Sequence, residues 1–471
     1  METQTQVTAS RRSFILPLIC LCIAGNAIFA GGVFCFPIIA PDLAENMRLS
    51  QSQLSTIVLA GIIGQYPFAA LAGDLVDRVG TWACSGVAAG MFATGYGLFA
   101  WTIAEEIPPD AHISTVGFRV LVAAYGMLGL GALFSYFSAI FSAAKEFPRH
   151  NGFAMGTSMA LFGLSPLFLS LPSSLFISPS SGFVDAKSYI IFIGSLATVV
   201  TTISTLGLRH VGSEQQIAFT PALPTESLDE EAPLLPKPAL EVERPGYPQT
   251  WLTVLRDPYF WWLFVVIGIM LGSSEMVMGN IGTVVTSLIT TSKHSSQAVS
   301  NQVQLLSIAN TLSRLTAGPL IDILCLDPKQ ASRRKLSISR LSFVAAGGSM
   351  LVLCHGFMGF FATSETQVWI LSLGVGASYG LVWTVIPAIV KLVWGEANLG
   401  RNFGMISYAP FVGTSLWTCL FAVNVERASE PDAVRCVGVR CWRTTFQVCT
   451  VAVAVVSVSL VGLWRQWRGR V

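Results

Sequence analysis

The sequence predicts an all-α membrane protein with twelve transmembrane helices in two six-helix halves. Three observations predict it. The 471 residues are 52% hydrophobic and only 11% charged, whereas a soluble domain carries about 25% charged residues. A surface this poor in charge needs lipid as its main solvent. Apolar runs recur at the length of roughly 20 residues that crosses a hydrocarbon core of about 30 Å. A short polar motif also returns at corresponding places in the two halves.

Spans 1 to 6 are expected near 14–40, 54–73, 82–101, 116–141, 153–176 and 189–208. Spans 7 to 12 follow near 259–285, 303–321, 340–361, 367–390, 403–424 and 444–464. Span 1 is too long for the apolar region of a cleavable signal and lacks a small-residue cleavage site, so it reads as a helix that stays. Between spans 6 and 7, residues 209–256 are rich in Pro and Glu and cannot bury enough surface to fold alone. They read as a disordered cytosolic linker. The expected domains are therefore an N-terminal bundle at 1–208, the linker at 209–256 and a C-terminal bundle at 257–471.

Orientation follows from the basic residues. With both termini in the cytosol, most of the 28 Lys and Arg fall on that side, including Arg11, Arg12, Arg333, Arg334, Lys335, Arg465, Arg468 and Arg470. Arg427, Arg435, Arg440 and Arg443, before span 12, run against the rule. Most of the twelve Trp, such as Trp101, Trp261 and Trp464, sit near span ends as an aromatic belt. Eight of the ten Cys lie in or beside apolar spans and read as small buried residues. Cys436 and Cys441 share one loop on the non-cytosolic side, either as a disulfide or as two free thiols. No metal-ligand spacing is present, no cofactor is expected, and the net charge of +2 is too small to indicate nucleic acid.

After span 2 the chain reads Gly73-Asp74-Leu75-Val76-Asp77-Arg78-Val79-Gly80; after span 8 it reads Gly318-Pro319-Leu320-Ile321-Asp322. Gly, Leu and Asp recur at the same spacing. Phe153-Ala154-Met155 opens span 5 as Phe403-Gly404-Met405 opens span 11. The matches indicate a duplicated six-helix unit, an architecture typical of transporters. The pattern G-x-L-x-D-R-x-G, carried by Gly73, Leu75, Asp77, Arg78 and Gly80, resembles the signature of the major facilitator superfamily. The resemblance implies the major facilitator fold. A latch is then expected at the cytosolic mouth, made by Gly73, Asp77, Arg78, Gly318 and Asp322. Gly73 allows close helix approach, Asp77 can meet a helix N-terminus, and Arg78 can pair with a nearby carboxylate. Thr81-Trp82 departs from the basic residues usual there.

Within that superfamily the chain resembles the fungal vacuolar monocarboxylate-permease homologues. Four stretches carry the likeness: EEAPLL at Glu230–Leu235, LGSSEMVMGNIG around Glu275 and Asn280, NTLSRLTAGPLID in span 8, and LVWGEANLGRNFG from Leu392 to Gly404. The resemblance implies a transporter. Proton-linked monocarboxylate carriers have D-x-x-x-R-x-x-x-G in span 8, where the Arg takes the substrate carboxylate and the Asp couples the proton. Here the run is Asn310-x-x-x-Arg314-x-x-x-Gly318. Phe36-Pro37 is followed by Ile38, where those carriers have Lys. The Arg is kept and two ionisable positions are lost.

Arg314 is the leading solute-binding candidate, with Asn310 and Asn26 beside it. An Arg within a span is costly unless paired or wetted, and its fork suits a carboxylate or phosphate. The structural alternative has it reach the cytosol or join the latch around Asp322. Glu275 and Asn280 are candidates for proton coupling or gating. The flanking Gly272 and Gly279 leave span 7 open to a break there. A direct pair between Glu275 and Arg314 is not expected, because their depths differ by well over 10 Å at about 1.5 Å per residue. Asn26 either lines a cavity or bonds between helices. Arg119 reads as an interfacial anchor and Pro166 as a kink. Glu230, Leu234 and Leu235 fit the acidic dileucine pattern read by sorting adaptors. With the resemblance, they point to the vacuolar membrane; the other reading is the plasma membrane.

The functional expectation is a monomeric secondary transporter moving a small solute, in the class of organic anions, by alternating access. The rival is a non-transporting membrane sensor that keeps the fold, against which the short linker counts. An embedded enzyme lacks any His, Asp or Ser constellation, and no phosphate-binding loop for ATP is present.

Overall fold

The structure is a computed structural model describing residues 2–49, 51–104, 113–147, 150–177, 184–219, 251–288, 295–325, 338–428 and 436–468. Helices account for nearly all of it. Among the described residues the β-structure is one isolated bridge, Ile177 to Val184.

The first half consists of α1 (Glu2–Ala30), a 3-10 turn (Gly31–Cys35), α2 (Phe36–Asn46), α3 (Gln51–Gln65), α4 (Ala69–Arg78), α5 (Thr81–Ile103), α6 (Thr115–Glu146), α7 (Asn151–Ser170) and α8 (Ala186–Phe219). The short α9 (Trp251–Leu255) precedes the second half. That half comprises α10 (Pro258–Leu288), α11 (Ser295–Leu324), α12 (Arg340–Phe360), α13 (Trp369–Trp394), α14 (Leu399–Ile406), α15 (Tyr408–Ala428) and α16 (Arg443–Gln466). Among the described residues, eleven stretches are long and apolar enough to cross a membrane. The twelfth expected span, α11, is too polar for that count, yet it packs between α7 and α13. Gln304, Ser307, Thr311 and Arg314 form a polar file along one side of it, at helical spacing.

Two breaks shape the first half. Gly31 faces Ser165 and Gly32 faces the Tyr96 hydroxyl so closely that no Cβ fits at either position. The chain tightens there before Pro37. Span 2 is interrupted at Tyr66-Pro67-Phe68, where Pro67 lacks the amide hydrogen that helix continuation requires and disfavours helical backbone at Tyr66. The break turns Tyr66 toward the second half and starts α4 as a separate rod.

The outer surface is apolar, with Leu21, Trp101, Leu416 and Val458 exposed, as lipid requires. The polar residues inside are stitched together. Asn26 has no exposed surface. It donates to Ser138 at 3.5 Å and accepts from Ser85 at 3.0 Å and from Ser135 at 3.1 Å, tying α1 to α5 and α6. In the second half Cys436 and Cys441 are bonded Sγ to Sγ, 2.07 Å apart. This short loop seats on the end of α10, where the Gly438 amide donates to the Ser287 carbonyl and the Trp442 indole to the Ser287 hydroxyl. The other eight Cys are free, six of them buried.

Two expectations change. Span 7 is not broken at Gly272 or Gly279: α10 runs unbroken from Pro258 to Leu288. Gly272 serves packing instead, since a Cβ there would meet the backbone of Gly413. The expected linker begins and ends as helix, because α8 continues to Phe219 and α9 occupies Trp251–Leu255. Glu230, Leu234 and Leu235 lie outside the described residues, as do Arg333, Arg334 and Lys335.

Candidate functional site

The two halves meet along a pair of glycine seams on the face that carries the loop between α4 and α5. In the first seam, α4 lies against α14. A Cβ on Gly73 would strike the Gly400 carbonyl, and one on Gly404 would strike the carbonyl of Ala69. Such an approach is open only to residues without a side chain. Asp77 closes the seam: its carboxylate oxygens accept from the Gly400 amide at 3.0 Å and the Arg401 amide at 2.8 Å. These are the free donors at the start of α14, and the helix dipole favours an anion there.

The second seam repeats the first between α11 and α7. A Cβ on Gly318 would strike the Gly152 carbonyl, and one on Gly156 would meet the Arg314 carbonyl. Asp322 accepts from the Gly152 amide at 3.0 Å and the Phe153 amide at 2.9 Å. The Gly-x-x-x-Asp pairs at 73–77 and 318–322 are thus equivalent in space as well as in sequence. The Phe-x-Met match is two residues out of register with the contact: the facing glycine precedes Phe153 by one residue but Phe403 by three. Arg78 stays on its own helix, its Nε 2.9 Å from Asp74, and its side chain is 74% exposed. It does not bridge the halves.

One turn inward from each seam glycine sit Ala69 and Arg314, and one turn further sit Gln65 and Asn310. Both Ala69 and Arg314 line a cleft of about 110 Å³ between the halves, with Phe34, Tyr136, Tyr379 and Trp383 among its walls. Arg314 is 4% exposed. Its Nε donates to Asn310 Oδ1 at 2.9 Å, one terminal nitrogen reaches the Met159 carbonyl at 3.5 Å, and the guanidinium lies 5.6 Å from the Tyr379 ring centroid. Among the described residues no carboxylate pairs with it. Two further polar atoms nearby are buried without a partner, the Trp383 Nε1 and the Thr311 Oγ1.

Glu275 sits across Tyr379 from Arg314. Its carboxylate accepts from three hydroxyls: Tyr379 at 2.9 Å, Thr414 at 2.6 Å and Tyr66 at 3.3 and 3.4 Å. Tyr66 comes from the opposite half, where it also stacks on Phe411 with centroids 5.3 Å apart. Beside it the Tyr408 hydroxyl donates to the Pro67 carbonyl.

The expected site residues therefore divide. Arg314, Asn310 and Glu275 come together in the middle of the protein, and Gly73, Asp77, Gly318 and Asp322 form the seams. Asn280 donates to the carbonyl of Met276 on its own helix and does not join the Glu275 cluster. Asn26 is a correction. It is sealed between α1, α5 and α6 by three serines, so it bonds between helices and does not line the cleft. Arg314 neither reaches the surface nor touches Asp322. Sequence reasoning missed Tyr66, Tyr379, Thr414 and Trp383, which look like ordinary members of apolar spans. The one available signal was Tyr66-Pro67, a proline inside a span.

Among the described residues, eleven helices are long and apolar enough to cross a membrane, and α11 packs among them. They form two halves joined by glycine seams around a largely aromatic cleft that holds one buried cation. This is the architecture of a polytopic membrane protein. Comparison with known proteins agrees. The sequence pattern described as Major Facilitator Superfamily matches residues 21–418, and the chain belongs to that superfamily. It is 27% identical to "Probable transporter mch1" of Emericella nidulans, over 94% of this chain and 84% of the relative. It is 24% identical to "Probable transporter MCH1" of Gibberella zeae, over 100% and 92%. Among solved structures it resembles FucP in the outward conformation, with TM-score 0.61 and 14% identity, over 95% of this chain and 99% of that one. The proton:xylose symporter XylE gives TM-score 0.63 and 13% identity, over 96% of each. At those identities the structural likeness speaks for the fold alone.

Proposed function

We propose that the chain is a secondary transporter that carries a small organic anion across the vacuolar membrane by alternating access. The observation that carries this reading is Arg314: a cation buried between the halves with no carboxylate partner among the described residues. An unpaired buried charge is costly, and a bound anion would remove that cost. The aromatic walls would hold the rest of the solute, and the unpartnered Trp383 N–H adds a donor.

The seam face is cytosolic in this reading, with both termini on the same side, which follows the bias of basic residues. The geometry then corresponds to a state closed toward the cytosol. Opening it requires Asp77 and Asp322 to leave their helix N-termini, each at a cost of about 0.3–2 kcal/mol. Costs of that size permit switching. Glu275 is the coupling or gating carboxylate in place of the aspartate that Asn310 replaces; Asn280 acts only on its own helix. Glu230, Leu234 and Leu235 serve an adaptor that delivers the monomer to the vacuole. Targeting unchanged after Leu234→Ala and Leu235→Ala would remove that part, and plasma-membrane residence would replace it.

The deciding measurement is flux into vesicles holding the purified protein, screened over organic anions and amino acids. Anion flux that falls about 30-fold in Arg314→Ala supports the proposal. Solute binding without flux for any compound would favour a sensor that keeps the fold.

A further inference from the structure

Tyr379 touches both the Arg314 cation of the cleft and, through Glu275, the contact between the halves. Its ring face lies under the Arg314 guanidinium at 5.6 Å, within the range of a cation–π contact. Its hydroxyl donates to Glu275 Oε1 at 2.9 Å. Glu275 in turn holds the Tyr66 hydroxyl of the opposite half. Tyr66 stands at the break just before α4, the rod that carries Gly73 and Asp77 into the first seam. Four side chains thus form a continuous line, Arg314–Tyr379–Glu275–Tyr66, from the cleft to the joint between the halves. The rest of the Glu275 shell is Thr414, from its own half.

We propose that Tyr379 is the positioning residue that couples occupancy of the cleft to opening of the seam. An anion that pairs with Arg314 draws the guanidinium off the ring face. The Tyr379 hydroxyl then shifts on Glu275, and the grip of Glu275 on Tyr66 weakens. The inference rests on the reading of Arg314 as the solute residue, but its test needs no solute.

The Gly400 and Arg401 amides donate to Asp77 when the seam is closed, so their hydrogen exchange reports seam opening. Exchange is measured on the full chain in lipid nanodiscs, in the peptide spanning 396–407. Tyr66→Phe keeps the stack on Phe411 and loses the hydroxyl; it is expected to raise exchange roughly tenfold, as loss of a hydrogen bond to a charged group should. Arg314→Lys keeps the charge and loses the planar contact with the ring, and is expected to raise it about threefold. That second effect is expected to vanish in a Tyr379→Phe background, where the ring remains and the hydroxyl is gone. Asn280→Ala, which touches only its own helix, controls for general loosening and is expected to leave exchange unchanged. The proposal is overturned if Arg314→Lys acts equally in both backgrounds, or if Tyr66→Phe exchanges like the unaltered protein. Failure of the solute reading would appear separately, as intact flux in Arg314→Ala.

Discussion

The seam between α4 and α14 and the seam between α11 and α7 are one device built twice. Each sets a glycine against the backbone of a glycine across the joint, and each ends in an aspartate that accepts two amides from a helix start. They differ one turn inward, where the first half has Ala69 and the second Arg314. The joint is symmetric in the two halves, while the cleft-lining position differs. The two equivalent contacts leave one half with a charge at that position and the other without.

The comparison can be broken most sharply at its glycines. Gly73→Val and Gly318→Val each push a branched side chain into facing backbone, and overpacking of this kind is expected to lower vesicle flux roughly 100-fold in both variants. A large loss in one with near-normal flux in the other would end the equivalence. Next comes the inner turn: Arg314→Ala is expected to cost about 30-fold in flux and Ala69→Ser less than about twofold, because only the first removes charge-assisted contacts. Matching losses would move the solute-binding role away from Arg314. The aspartates should have a smaller, shared effect. Asp77→Asn and Asp322→Asn are each expected to raise amide exchange at the facing helix start about 3- to 10-fold, within the range of helix-terminus charge effects. The smallest effect is Arg78→Ala, less than about twofold in flux, since its pair with Asp74 is exposed and local.

The sequence makes the joint legible because its chemistry is spelled locally. Gly and Asp four residues apart, repeated after spans 2 and 8, name the seam partners on one side, and the helix-start preference of an anion explains what Asp77 and Asp322 seek. The facing residues Gly152 and Gly400 were harder to find, because the Phe-x-Met match that draws the eye is out of register with the contact. The cleft was half legible. A charge in an apolar span singles out Arg314 and Glu275, but the residue between them is a tyrosine with nothing to distinguish it. Glu275 and Arg314 form no direct pair, but the depth estimate that argued so set them far apart and left Tyr379, which touches both, unseen. Asn26 misleads for a physical reason: a polar residue inside a span must be satisfied, and periodicity does not say whether water, solute or three serines satisfy it.

The polarity of α11 has a consequence for how the protein is made. A helix carrying Gln304, Ser307, Thr311 and Arg314 on one side is a poor candidate to enter lipid unaided, because a central Arg alone costs about 2.5–3.5 kcal/mol on insertion scales. During synthesis it is expected to wait at the insertion machinery until α13, whose Tyr379 lies against Arg314, emerges, while α7 is already in place on its other flank. In the proposed orientation, with both termini cytosolic, a chain cut after Leu324 and followed by a glycosylation tag is expected to be glycosylated. The same tag placed in the loop after Leu324 of the full chain is expected to remain bare.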